Sequence, residues 1–137
     1  MSDPRQMLEA ATTIAVVGAS TTPGKAAYAI PRTLLAAGFR MIPVHLTASE
    51  IHGQRVYPRL AEIPEPVDLV DVFRPAAEAP GVARQAVAIG AKGVWLQLGI
   101  ISAEARSIAE GGGLEYIEDL CIGVEVVELG IVKKGRA

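Results

Sequence analysis

Five short stretches of the chain are apolar and rich in β-branched residues. They are Ile14-Ala-Val-Val-Gly18, Met41-Ile-Pro-Val44, Val67-Asp-Leu-Val-Asp-Val-Phe73, Gly93-Val-Trp-Leu-Gln97 and, more weakly, Leu114-Glu-Tyr-Ile-Glu118. None shows the strict apolar–polar alternation of a strand with one wet face, which suits strands covered on both sides. Between them, residues 30–37, 76–89 and 103–110 carry apolar positions at helical spacing. Each of these patterns is followed by glycine, at Gly38, Gly90 and 111–113. A glycine just past a periodic segment is the expected helix stop. Strand alternating with helix makes βαβ units, so the pattern predicts an α/β fold. It is a Rossmann-like doubly wound sheet of about five mainly parallel strands in a three-layer αβα arrangement.

Local signals refine this outline. Asp3 followed by Pro4 reads as an N-cap and first helical position near the N-terminus. Pro31 is tolerated cheaply only in a first turn, which predicts a helix starting near residues 28–30 and a loop over 20–27. Segment 45–66 is the least regular, with Gly53, Pro58, Pro64 and Pro66, and holds one short helix around 59–62. Over 123–129 the valines favour a strand and the Glu125/Glu128 spacing a helix; pattern leaves both open.

Composition narrows the class. The 137 residues are 50% hydrophobic and 20% charged, with a formal net charge of −2, the reverse of a disordered chain. That length predicts one domain over 1–137. The charge balance argues against nucleic acid as a partner, since the only basic run is Lys133, Lys134 and Arg136, which reads as a solvated tail. A single cysteine, Cys121, rules out an internal disulfide. With only His45 and His52 beside it, a closed zinc site has too few ligands, so no metal is expected. Cysteine usage suits the reducing cytoplasm. No apolar stretch reaches the length of a membrane span, and the N-terminus does not read as a signal peptide.

In such sheets ligands bind beyond the carboxyl ends of the strands, at the switch in strand order. The first of these ends, Gly18-Ala-Ser-Thr-Thr-Pro-Gly-Lys25, is small and hydroxyl-rich, so backbone amides and a helix N-terminus can approach an anion. It is not a Walker A loop: five residues separate Gly18 from Gly24-Lys25, and Ala26 stands where a magnesium-binding hydroxyl belongs. Nor is it G-x-G-x-x-G, because Ser20 replaces the second glycine, and the second strand ends Val44-His45 without a ribose-binding carboxylate. Lys25 and Arg74 stand where phosphate charges would lie. Trp95 reads as core with its indole N–H bonded, and Gln97 as a pocket candidate. Asp68 and Asp71, three apart in a strand, fall on opposite faces, and Asp71 is expected to bond backbone amides of a loop or helix start. His45 is a candidate pocket residue, and His52 has no nameable partner. Cys121 follows the fifth strand, where its thiol can face the cleft. A nucleophilic trio of Cys121, His45 and Asp119 lacks a nucleophile elbow.

Five pieces in order carry a family resemblance: Val16-Val-Gly-Ala-Ser20, Gly38-Phe-Arg-Met-Ile-Pro-Val44, Val56-Tyr-Pro58, Val70-Asp-Val-Phe-Arg74 and Ala91-Lys-Gly-Val-Trp-Leu-Gln-Leu-Gly99. Together they resemble the stand-alone bacterial and archaeal CoA-binding domain proteins, whose fold is similar to the CoA-binding domain of the succinyl-CoA synthetase α subunit. The resemblance implies a protein that binds coenzyme A, or an acyl-CoA, without established catalysis of its own, alone or with a partner subunit or a second copy. Carried over, Gly18, Ala19, Ser20 and Thr21 would cradle phosphates, with Lys25 beside them. Val44 and His45 would border the nucleotide, and Val72, Phe73 and Arg74 would wall the adenosine side. Gln97 and Cys121 complete the candidate set. The chain departs from the family at His45-Leu46, where Asn-Pro is usual, and at Gly123 and Val126, where Lys and His are usual. Two rivals stand beside this reading: an NAD(P)-binding redox module, and a thioester-processing enzyme using Cys121.

Overall fold

Residues 1–134 are described by the computed structural model, so Arg136 lies outside the described residues. In chain order the elements are α1 (Pro4–Ala10), β1 (Thr13–Val17), α2 (Ala26–Ala36), β2 (Arg40–Val44), β3 (Glu50–Ile51), β4 (Gln54–Arg55), β5 (Leu69–Val72), α3 (Ala79–Ala88), β6 (Gly93–Leu96), α4 (Ala103–Gly111), β7 (Glu115–Ile117) and α5 (Ile122–Glu128). Single 3-10 turns at Leu60–Glu62 and Ala76–Glu78 precede β5 and α3.

Five strands form one parallel sheet in the order β2-β1-β5-β6-β7. Side-chain parity sorts their residues into two cores. Ile14, Val16, Met41, Leu69, Trp95 and Ile117 pack with residues of α1, α2 and α5. Ala15, Val44, Val70, Val72, Val94 and Leu96 pack with the alanine-rich faces of α3 and α4. This is the expected three-layer, doubly wound fold. Each fully buried side chain such as Leu34 or Ile117 contributes about 1.5–3 kcal/mol relative to exposure.

The N-terminal cap is as expected, with the Asp3 carboxylate accepting the Arg5 amide at 2.9 Å. Helix α2, however, begins at Ala26, and Pro31 lies inside it rather than in its first turn. A proline at 31 removes the donor that would meet the Ala27 carbonyl. That carbonyl instead accepts the amide of Ser20 at 2.9 Å, so the loop before α2 fills the gap and the helix runs on.

Gly38 closes α2 with φ +97, and a Cβ there would stand 2.1 Å from the Lys133 carbonyl oxygen. Lys133 is accordingly not a solvated tail residue. Its amide donates to Ala37 O at 2.7 Å and its ammonium lies 5.6 Å from the Phe39 ring centroid. The undecided stretch 123–129 is helical: Ile122 and Val126, one turn apart, are buried, while Val124 and Val127 face outward. Gly123 lets the helix approach α2, where a Cβ would sit 2.6 Å from Ile30 Cδ1. Within 45–66 the β3–β4 hairpin was not foreseen. It turns through His52 (φ +51) and Gly53 (φ +75), the paired left-handed conformations of a tight hairpin.

Candidate ligand-binding edge

The chain runs from β1 outward to β2, then crosses to β5 on the other side of β1. A crevice therefore opens above the ends of β1 and β5, where an open α/β sheet takes its ligands. Gly18 leaves β1 at φ +89 and its amide donates to Val44 O at 3.2 Å. A Cβ on Gly18 would come 2.8 Å from Arg74 Cδ and 3.2 Å from Phe73 O, so only glycine lets the loop pass this close to the end of β5. The structure thus brings Gly18, Val44, Phe73 and Arg74 together. Val44 and Val72 are buried, and their carbonyls accept the amides of Gly18 and Gln97, so both shape the edge from behind.

The loop's amides divide into two sets. Those of Gly18 and Ser20 are held by the carbonyls of Val44 and Ala27, and that of Thr22 by Ser20 Oγ at 3.0 Å. Ser20 is therefore a turn-forming residue. The amides of Ala19, Thr21, Gly24, Ala26 and Ala27 have no protein acceptor among the described residues. Lys25 is the N-cap residue of α2 and supplies no side-chain cap, which leaves that helix start open. Its own side chain is exposed and unpaired among the described residues. Arg74 grips Glu78 through two hydrogen bonds of 3.1 and 2.9 Å, an interaction that holds the arginine protonated and lowers the glutamate's pKa. Such exposed pairs contribute little, so a phosphate can draw Arg74 away.

On the α2 side of the edge, His45 accepts the amides of Thr47 (3.1 Å) and Ala48 (2.9 Å) on Nδ1. An asparagine oxygen at this position would accept the same two amides. His52 does have a partner: its Nε2 meets Tyr28 O at 2.6 Å, and the rings touch edge-on at 4.5 Å. This contact ties the hairpin to the first turn of α2.

Beneath the edge lies a buried polar chain. Ile122 donates its amide to Gln97 Oε1 at 3.3 Å, and Gln97 Nε2 donates to Asp71 Oδ1. Gln97 is only 4% exposed, so it supports the edge from below instead of lining an open pocket. Asp71 is fully buried, and burial pushes its carboxyl up to about 8 against the opposing pull of the Gln97 hydrogen bond. Its Oδ2 has no partner among the described residues. The backbone-bonding role expected of Asp71 belongs to Asp68, which accepts the amides of Thr12 and Thr13, both at 2.9 Å.

Trp95 of β6 is core as expected and donates its indole N–H to the carbonyl of Leu120, beyond the end of β7, at 2.9 Å. Asp119 adopts φ +57 and accepts the Gly99 amide at 2.7 Å. Cys121 is a half-buried free thiol preceding α5. Asp119 is thus engaged with Gly99, and His45 Nδ1 with its own turn. Among the described residues no hydrogen bond joins Cys121, His45 and Asp119. No helix among them is long and apolar enough to cross a membrane.

The sequence pointed to the loop and the strand ends. It carried no signal for which amides stay free, because that depends on which distant carbonyls arrive. Nor did it show that Asp71 Oδ2 would be left without a partner among the described residues.

Comparison with known proteins gives a consistent picture. The family described as "CoA binding domain" matches residues 12–127. The uncharacterized protein YneT of Bacillus subtilis is 35% identical over 120 residues, covering 88% of this chain and 89% of that protein. The alpha subunit of acetate–CoA ligase [ADP-forming] I of Pyrococcus furiosus is 36% identical over 105 residues, which are 72% of this chain but 22% of the subunit. Among solved structures, a hypothetical protein from Pyrococcus horikoshii OT3 superposes with a TM-score of 0.89 at 32% identity, over 93% of this chain and 89% of that one.

Proposed function

The chain belongs to the CoA binding domain family, and from that membership we propose that it binds coenzyme A or an acyl-CoA at the carboxyl edge of its sheet. The observation that carries this reading is the open start of α2 at the switch point. Free amides of Thr21, Gly24, Ala26 and Ala27 gather there beside an unpaired Lys25. Aligned amides and the positive end of a helix suit a pyrophosphate.

Lys25 supplies the mobile cation, and Arg74 supplies a second once it leaves Glu78. Phe73, half-buried between the ends of β1 and β6, offers the flat apolar surface for adenine. Gly18 and Ser20 act by shape: their amides, engaged with Val44 and Ala27, hold the loop open. The reading attaches recognition to this chain and no bond-breaking step.

Coenzyme A at a hundred times its Kd should stabilise the protein by about 2.7 kcal/mol, which a melting assay resolves. NAD(H) or NADP(H) should produce no comparable shift; a larger shift with either would replace this reading by the redox module. Ala26→Pro tests the amides directly. Ala26 is the first residue of α2, its amide has no protein acceptor among the described residues, and Lys25 already has the extended backbone (φ −90, ψ 145) that precedes proline. The variant should melt no lower than the parent yet bind coenzyme A about tenfold or more weakly, the loss of one charge-assisted hydrogen bond. Unchanged affinity would remove the start of α2 from the site.

A further inference from the structure

The second strand of the sheet ends in an imidazole whose two nitrogens are used differently. Nδ1 of His45 accepts the amide hydrogens of Thr47 and Ala48. A ring nitrogen accepting two N–H groups carries no hydrogen, so the neutral ring bears its hydrogen on Nε2. Nε2 lies across the ring from that turn, and it has no acceptor among the described residues. The turn therefore orients a half-buried N–H donor and leaves it unmatched.

Parity decides which side of the sheet the ring takes. Met41 packs in the core beneath α2, while Val44 packs toward α3 and α4. Two steps of two from Met41, through Pro43, reach His45. The ladder also continues to this residue, since its amide donates to Tyr57 O at 3.1 Å. His45 thus emerges on the α2 side. The open first turn of α2 and Lys25 lie on that side, and the His52–Tyr28 contact anchors residues 45–52 to that turn.

A residue in this position, ending the second strand of a Rossmann-like sheet, ordinarily meets the ribose. In dinucleotide sites it is a carboxylate that accepts a ribose hydroxyl. Here the group presented is a donor, which inverts the chemistry and favours an acceptor such as a phosphate. We propose that His45 Nε2–H donates to a phosphate on the ribose of the bound nucleotide, making His45 a specificity determinant for 3′-phosphorylated over 3′-hydroxyl forms. This rests on the coenzyme A reading and assigns within it a part that the pyrophosphate cradle does not serve.

His45→Asn isolates the donor. Asparagine places its oxygen where Nδ1 stands and keeps the turn, but nothing of it reaches the position of Nε2. Calorimetric titrations would compare coenzyme A with 3′-dephospho-coenzyme A, at one pH and salt, for the parent protein and the variant. The parent should prefer coenzyme A by about tenfold or more. In His45→Asn most of that preference should vanish through weaker coenzyme A binding, with dephospho-coenzyme A affinity and the unliganded melting temperature unchanged. Equal affinities in the parent overturn the assignment. So does a variant that loses the same factor for both ligands, because His45 would then read a group they share. If the parent binds neither ligand, the coenzyme A reading itself fails and the assignment falls with it.

Discussion

Raising the pH from 5 to 8 should lower the protein's unfolding free energy by roughly 2–4 kcal/mol more than it lowers that of Asp71→Asn. Burial raises the Asp71 carboxyl to about 8 in the folded chain, from an ordinary value of 3.8. Above pH 4 the unfolded chain therefore releases a proton that the native state keeps. The unfolded state binds fewer protons, so stability falls as pH rises, and the fall levels off once the native carboxyl ionises near pH 8. The substituted carboxamide cannot titrate, so the stability of Asp71→Asn should be flatter over this window. Its amide nitrogen would face the place where Asp71 Oδ2 finds no partner among the described residues, so the substitution can also move the level of stability. The slope is consequently the quantity to read, not the level. Urea melts of both proteins at pH 5, 6, 7 and 8 supply it. Parallel curves would show that Asp71 is ionised in the native state at neutral pH.

Trp95→Ala should destabilise the fold by about 3–5 kcal/mol, a large fraction of the 5–15 kcal/mol typical of a domain. The indole is fully buried in the core between the sheet and α1, α2 and α5. Trp95→Phe separates packing from hydrogen bonding. It retains much of the buried ring but leaves the Leu120 carbonyl without the donor it meets at 2.9 Å, a loss of about 1–3 kcal/mol. Leu120 sits between Asp119, held at φ +57, and Cys121. Releasing it should loosen the turn before α5, so the Cys121 thiol should react faster with an aromatic disulfide reagent in the folded Phe variant. An unchanged labelling rate would mean that the bonds of Gly99 to Asp119 and of Ile122 to Gln97 hold the turn without the indole.

Much of the architecture was legible because it rests on short-range signals. Apolar β-branched runs at β1, β2, β5 and β6 can be buried on both faces only in a covered parallel sheet. Glycines at 38 and 90 mark helix ends because few other residues take their backbone conformation. Pro31 misled for a physical reason: its penalty holds for an isolated helix, and here Ser20 meets the orphaned Ala27 carbonyl. The β3–β4 hairpin escaped notice because His52 occupies a left-handed position more usual for asparagine or glycine. His45 shows the intermediate case. Its location at a strand end was readable, but the capture of Nδ1 by two amides was not.

Periodicity and punctuation determined which segments are strands and helices, how they alternate, and hence which strand ends, near Gly18, Val44 and Phe73, form the carboxyl edge. These are properties of residues close in the chain. Which donors at that edge remain available was decided only in three dimensions. Val44 and Ala27 take the amides of Gly18 and Ser20, no group among the described residues reaches those of Thr21 and Ala26, and burial leaves Asp71 Oδ2 without a partner among them. Hydrogen-bond saturation and desolvation depend on atoms brought together across dozens of residues, so no local pattern encodes them.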